Sequence, residues 1–270
     1  MKVHVVLTNN FKKEEISEID VNNSICAVID TIRATSTIVT MIGCGANSVI
    51  IAENKVEAFE LKKILPDYIL CGEEGGLAPK GFDYGNSPVE ISGMDAAGKD
   101  FILMTTNGTR SVLRASDFRE VFILSILNLN YALDVIASSV KLSFCDVCIL
   151  CSGEHKRIAY DDAYNAGLAV KYLLTRPHNF EFTDSARLVL SAALSEFDLS
   201  DALEKSSSAR ALHEVSTGED IPFLGRYNIY KVAPRLSKLD IREFKKANKI
   251  NQKAINNFSK DAIYIIKDYK

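Results

Sequence analysis

Short β-branched runs alternate with helical stretches along most of the chain, and this alternation limits the fold more tightly than any other feature of the sequence. Residues 3–7, 25–29, 48–52, 68–71, 101–104, 121–127 and 147–151 have the length and composition of strands. Helical periodicity follows several of them, over 55–65, 128–140 and from Asp161 towards Leu174. Alternation of this kind builds βαβ units. We therefore expect a layered α/β/α fold around a largely parallel or mixed sheet. A chain of 270 residues can form one such unit, with two intimately packed lobes near 1–128 and 129–270 as a further possibility. The last third reads as helices over 186–194, 199–205 and 209–215, then closing strands over 229–232 and 262–266 with a lysine-rich stretch between them.

Polar residues collect where the predicted strands end, which is where open α/β sheets place their ligands. In ICAVIDTIRATST the second strand runs directly into Asp30. Thr31, Arg33, Thr35, Ser36 and Thr37 follow before a helical pattern begins at Ile38. A carboxylate there can hold a metal or attack phosphorus, while Arg33 can face an anion; the same aspartate could equally cap the helix. The segment GEEGGLAPKGFDYGNSP, residues 72–88, must be a loop, anchored by Phe82 and Tyr84. Its Glu73 and Glu74 lie just past a strand end, where they can meet Asp30.

A third cluster, TTNGTR at 105–110, sets hydroxyls, an amide, a glycine and Arg110 between strand and helix. It lacks the spacing of a P-loop, and no P-loop occurs elsewhere. A fourth, SGEHKRIAYDD, carries Ser152, Gly153, His155 and Arg157 in a turn. Asp161 and Asp162 then open a helix, where they can complete a magnesium shell or simply favour the helix dipole.

Net charge is −3 and no basic block interrupts the chain, so a nucleic-acid role has no support. No apolar run approaches transmembrane length and the first residues lack the marks of a signal peptide, which leads us to expect a soluble cytoplasmic protein. Cys145, Cys148 and Cys151 have a spacing that suggests a metal site, but strand alternation would turn Cys148 away from the other two, so we expect core packing. His4, His178 and His213 lack partners at metal-ligand spacing and read as surface or satisfied structural residues.

Taken in order, VIDTIRATSTI, GEEGGLAPKGFDYGNSP, TTNGTR, CSGEHKRIAYDDAYNAG and SARALHEVSTGEDIPF resemble the 2-phosphosulfolactate phosphatase family over residues 25–223. Members are magnesium-dependent phosphomonoesterases associated with coenzyme M biosynthesis. The resemblance implies hydrolysis of 2-phosphosulfolactate to sulfolactate and phosphate. It places Asp30, Arg33, Thr35 and Ser36 in the first motif, Glu73 and Asn86 in the second, Asn107, Gly108 and Thr109 in the third, and Asp162 in the fourth. Family members often carry Arg where this chain has Glu74, and Glu where it has Asp161.

On this basis Asp30, Arg33, Glu73, Asn107 and Arg110 are the expected catalytic residues. Thr35, Ser36, Asn86, Ser87, Thr106, Gly108, Thr109 and Arg157 are expected to bind substrate. Asp30, Glu73, Asp161 and Asp162 are expected to hold Mg2+, and Arg33, Arg110 and Arg157 to balance phosphoryl charge. A haloacid-dehalogenase-like site would need a second carboxylate at position 32, which is Ile. A homodimer is expected only from the general habit of soluble enzymes.

Overall fold

The computed structural model describes residues 1–177, 179–247, 250, 255, 258 and 260–269. His178 and part of the lysine-rich stretch lie outside the described residues. The strands are β1 (Lys2–Val6), β2 (Ser24–Ile29), β3 (Ser48–Ile51), β4 (Ile69–Gly72), β5 (Asp100–Met104), β6 (Glu120–Leu124), β7 (Asp146–Cys151), β8 (Glu181–Phe182), β9 (Pro234–Asp240) and β10 (Ala262–Asp268). Among the described residues they form one sheet of ten strands in the order β4-β5-β3-β10-β9-β6-β2-β7-β1-β8.

Two parallel blocks make up that sheet. β4, β5 and β3 form one, and β6, β2, β7, β1 and β8 form the other. Between them the C-terminal strands β9 and β10 pair antiparallel with each other and with the flanking β6 and β3. The sheet is thus mixed and largely parallel, and the protein is a layered α/β structure.

The helices are α1 (Ala34–Gly43), α2 (Lys55–Ile64), α3 (Pro88–Ser92), α4 (Gly108–Arg114), α5 (Leu129–Ser143), α6 (Tyr160–Leu174), α7 (Asp184–Leu194), α8 (Leu199–Glu204), α9 (Ser207–Glu214), α10 (Asp220–Leu224) and α11 (Ile241–Ala247). Period-two alternation along the strands distributes the core between them. Ile25, Ala27 and Ile29 of β2 pack with α5, α6 and α7 on one face, while Cys26 and Val28 turn to the other face and meet α1. That second face is shared by both blocks, since Val49 and Ile51 of β3 and Phe101 and Leu103 of β5 join the same cluster. α2 and α11 cover the remaining face of the smaller block. α1 therefore lies between the two blocks and is buried from Ala34 to Ile42.

Three sequence expectations need correction. α1 starts at Ala34 rather than Ile38, so Thr35, Ser36 and Thr37 are helical residues. The strand expected over 121–127 stops at Leu124, where Ser125 and Asn128 form a capping box on a short 3-10 turn. No strand forms over 229–232; that segment runs beside the 3-10 turn, with the Asn228 and Tyr230 amides donating to the Ile126 and Leu127 carbonyls. The cysteine expectation agrees with the packing: Cys145 and Cys151 point into one core, Cys148 into the other, and all are free thiols. His4 is neither exposed nor satisfied, being 3% exposed with no hydrogen-bond partner on either ring nitrogen.

Candidate active site

Asp30 lies at the C-terminal end of β2 and is held at its backbone. The Thr35 hydroxyl accepts from the Asp30 amide and donates to the Asp30 carbonyl, each at 2.9 Å. The end of β5 repeats the device, with the Thr109 hydroxyl accepting from the Thr105 amide at 3.2 Å and donating to its carbonyl at 2.8 Å. The two helices that follow, α1 and α4, meet end to end. A Cβ on Gly108 would collide with the Ala34 side chain and stand 2.6 Å from Asp30 Oδ2, so only glycine allows this approach.

A second pair of matching devices joins neighbouring strand ends. Glu73, after β4, accepts from the Thr106 amide at 2.6 Å and from the Gly76 amide at 2.9 Å. Asp162, at the start of α6, accepts from the Thr31 amide at 2.8 Å and from the Gly153 amide at 2.9 Å. Each carboxylate thereby ties the residue after one strand-end turn to the loop beyond the adjacent strand. Each of those loops contains a two-residue hairpin with both central residues at positive φ: Gly75 and Gly76 in one, His155 and Lys156 in the other.

These elements enclose a cleft of about 300 Å³, lined by Asp30, Ile32, Arg33, Glu73, Asn86, Thr106, Asn107, Glu154 and His155. Ser208, Ala211, Leu212, Glu214 and Val215 of the α9 region form the opposing wall. Arg33 reaches the cleft from a buried position, its Nη1 donating to Asp220 Oδ2 at 2.7 Å and its Nη2 to the Gly76 carbonyl at 2.6 Å. Asp220 is fully buried and also accepts from the Ser87 hydroxyl at 2.6 Å, which fastens α3, α10 and α1 together. Asn86 Oδ1 is buried in the cleft wall and has no partner.

Burial pushes the Asp30 carboxyl up to about 8, helped by the charges of Asp162 and Glu73 and opposed by the Ala34 amide, which donates to its Oδ1. Asp161 is raised to about 7 and Asp162 to about 8, again chiefly by burial. The floor of the cleft is therefore a place where negative charge is costly unless a cation faces it.

The expected site residues divide clearly. Asp30, Arg33, Glu73, Asn86, Thr106 and Asn107 line the cleft, and Gly108 presses against Asp30. Thr35, Ser36 and Thr109 do not face it, because their hydroxyls are consumed by backbone carbonyls or by Ser125. Ser87 is spent on capping α3 and on Asp220. Asp161, which accepts from the Ser208 hydroxyl at 2.9 Å, and Asp162 are buried behind the lining.

Arg110 and Arg157 are exposed and stand outside the cleft. Arg110 follows Gly108 by two helical positions, which turns it to another face of α4. Arg157 closes its hairpin, whose cleft-facing members are Glu154 and His155. Sequence reasoning also missed Asp220 and the α9 wall. The only signal for them was the last motif, SARALHEVSTGEDIPF, in which no residue had been given a role.

The family model for 2-phosphosulpholactate phosphatase matches residues 10–238. The chain is 33% identical over 213 residues to a probable 2-phosphosulfolactate phosphatase of Deinococcus radiodurans, covering 78% of this chain and 87% of that protein. It is 36% identical over 212 residues to one of Pseudothermotoga lettingae, covering 78% and 88%. A third, from Clostridium acetobutylicum, is 28% identical over 242 residues and is covered along 100% of its length. With Asp30 and Arg33 at the strand ends of an α/β fold and the match running across every element that builds the cleft, the chain belongs to the 2-phosphosulpholactate phosphatase family of phosphoric monoester hydrolases.

Proposed function

We propose that this cleft hydrolyses 2-phosphosulfolactate to sulfolactate and phosphate with the aid of Mg2+, the reaction that the family resemblance associates with coenzyme M biosynthesis. The observation that carries the reading is Asp30, a buried carboxylate fixed at its backbone by Thr35 and turned into a cleft beside Arg33. Four carboxylates line that cleft, Asp30, Glu73, Glu154 and Glu214, against the cationic or ionisable Arg33 and His155. A phosphate dianion would be repelled by such a wall unless a divalent cation stood between them.

The residues present suit magnesium. Mg2+ takes one or two carboxylates and fills its shell with water and phosphate oxygens rather than using an all-protein cage. Asp30 and Glu73 supply the carboxylates, and the unpartnered Asn86 Oδ1 supplies a buried neutral oxygen. Among the described residues no three His, Cys, Asp or Glu side chains converge as a closed metal cage. The ion, when bound, would polarise the phosphoryl group and offset its charge.

The protein's own contribution is to position and neutralise. Arg33 has N–H groups left after Asp220 and Gly76, and these face the phosphoryl oxygens. Asn107 and Asn86 orient the ester from either side, and the apolar wall of Ala211, Leu212 and Val215 limits water. Ile32 lines the cleft where a haloacid-dehalogenase-like enzyme would need an acid, so we assign no acid catalyst there.

Phosphate release from 2-phosphosulfolactate, with magnesium and then with EDTA, tests the reading. Turnover that EDTA abolishes supports it. Turnover of other 2-phospho acids alone would keep the chemistry and change the substrate, and no turnover of any phosphomonoester would reject it. Recovery of phosphorylated Asp30 after an acid quench would assign that residue as nucleophile instead of metal ligand.

A further inference from the structure

We propose that His155 selects substrates that carry a second acidic group besides the phosphate; the proposal rests on the phosphatase reading above. The two hairpins that reach the cleft occupy matching places beyond β4 and β7, yet they use different residues at their tips. Beyond β4 the positive-φ positions are Gly75 (φ +63°) and Gly76 (φ +83°), which present only backbone. Beyond β7 they are His155 (φ +48°) and Lys156 (φ +64°). Glycine occupies that region of backbone space most readily, so two side-chain-bearing residues there place an imidazole and an ammonium where the other hairpin offers only main chain.

Position and charge indicate what the imidazole can do there. His155 lines the cleft at its rim with 89% of its side chain exposed, leaving the imidazole free to turn towards a ligand. The cation in the lining, Arg33, already gives N–H groups to Asp220 and to Gly76, and its remaining donors are assigned to phosphate. A substrate with a carboxylate or sulfonate beyond its phosphate would bring a second negative charge against a wall that contains Glu73, Glu154 and Glu214. His155, whose Nε2 stands 4.0 Å from Glu154, is the exposed ring at the rim that can give an N–H to such a group. The neighbouring Lys156 and Arg157 are exposed in the same hairpin and reinforce the local positive potential.

The ligand class is a small phosphomonoester bearing at least one further acid. Wild type, H155Q, H155E and the double variant H155G/K156G would be assayed with magnesium on three substrates: 2-phosphosulfolactate, phospholactate and isopropyl phosphate, which has no second acid. For H155Q the expected result is a rise in KM for 2-phosphosulfolactate of about three- to fivefold, the scale of one exposed polar contact, with kcat changed less than twofold. H155E should raise KM further. The ratio of kcat/KM for 2-phosphosulfolactate over isopropyl phosphate should fall at least threefold in each variant.

A raised KM for phospholactate as well would assign the contact to the carboxylate; a rise confined to 2-phosphosulfolactate would assign it to the sulfonate. The double glycine variant should melt at a higher temperature than wild type while sharing the raised KM, an outcome that a purely structural role would not produce. Equal changes on all three substrates, or an unchanged KM in H155E, would overturn the proposal while leaving the phosphatase reading intact. Failure of wild type on every ester would overturn both.

Discussion

Asp30 is fixed by its own main chain, and its carboxyl ionises at a cost. A group that titrates near 3.8 in the unfolded chain and at about 8 in the folded one binds more protons when folded throughout that interval. Metal-free stability should therefore fall as pH rises from 4 towards 8, with Asp161 and Asp162 acting in the same direction. Calorimetry without metal should show Asp30→Asn melting above wild type at pH 8, even though its phosphatase activity is lost. His4 has the opposite sign. Burial lowers its pKa below 6.5, against the pull of Asp146 and Glu18, so the unfolded chain takes up the proton first and stability falls as pH drops below 6.5. The rise in urea midpoint that the three carboxylates produce between pH 7.5 and 5.5 should therefore be larger for His4→Leu than for wild type. At Gly108 even one methyl group is too large, and Gly108→Ala should displace Asp30 and lower kcat by about a hundredfold, the scale of a misplacement near 1 Å.

Helices and turns explain why part of the site was legible and part was not. The sequence shows Asp30, Glu73 and Asn107 because each is polar and stands just past an apolar run, and Asn86 through the motif that carries the family resemblance; all four line the cleft. It also shows Thr35, Ser36 and Thr109, but their roles depend on where the helices begin. Once α1 starts at Ala34, the hydroxyls lie within reach of carbonyls one turn back and are consumed there. A β-branched, hydroxyl-rich first turn has weak helix propensity, which hides that start. The matching clamps of Glu73 and Asp162 are likewise invisible in sequence, because they join residues 33 and 131 positions apart. Asp220 was overlooked because a single acid in a broken helical stretch has no local signature. Its importance is tertiary: Asp220→Ala would leave the Arg33 guanidinium buried without a counter-charge, and chemical denaturation should record a loss of about 3–5 kcal/mol.

At the scale of the whole molecule, the alternation of strands and helices foretold the parallel blocks and their layers. It did not foretell the antiparallel seam of β9 and β10, since those strands come from the last part of the chain and enter between blocks formed much earlier. The seam has a functional consequence: it joins two blocks whose strand ends carry similar clamps and hairpins, and the cleft is assembled from both. One block contributes Asp30, Arg33, Glu154 and His155; the other contributes Glu73, Asn86 and Asn107. Neither block holds the whole lining, so on the proposed assignment activity depends on the packing of α1 against α4. The first measurement to make is magnesium-dependent phosphate release from 2-phosphosulfolactate by wild type and by folded Asp30→Asn side by side. The expected result is turnover by wild type that EDTA abolishes and a loss of at least a thousandfold, about 4 kcal/mol of transition-state stabilisation, in the variant. Undiminished turnover by Asp30→Asn would contradict the assignment of the cleft.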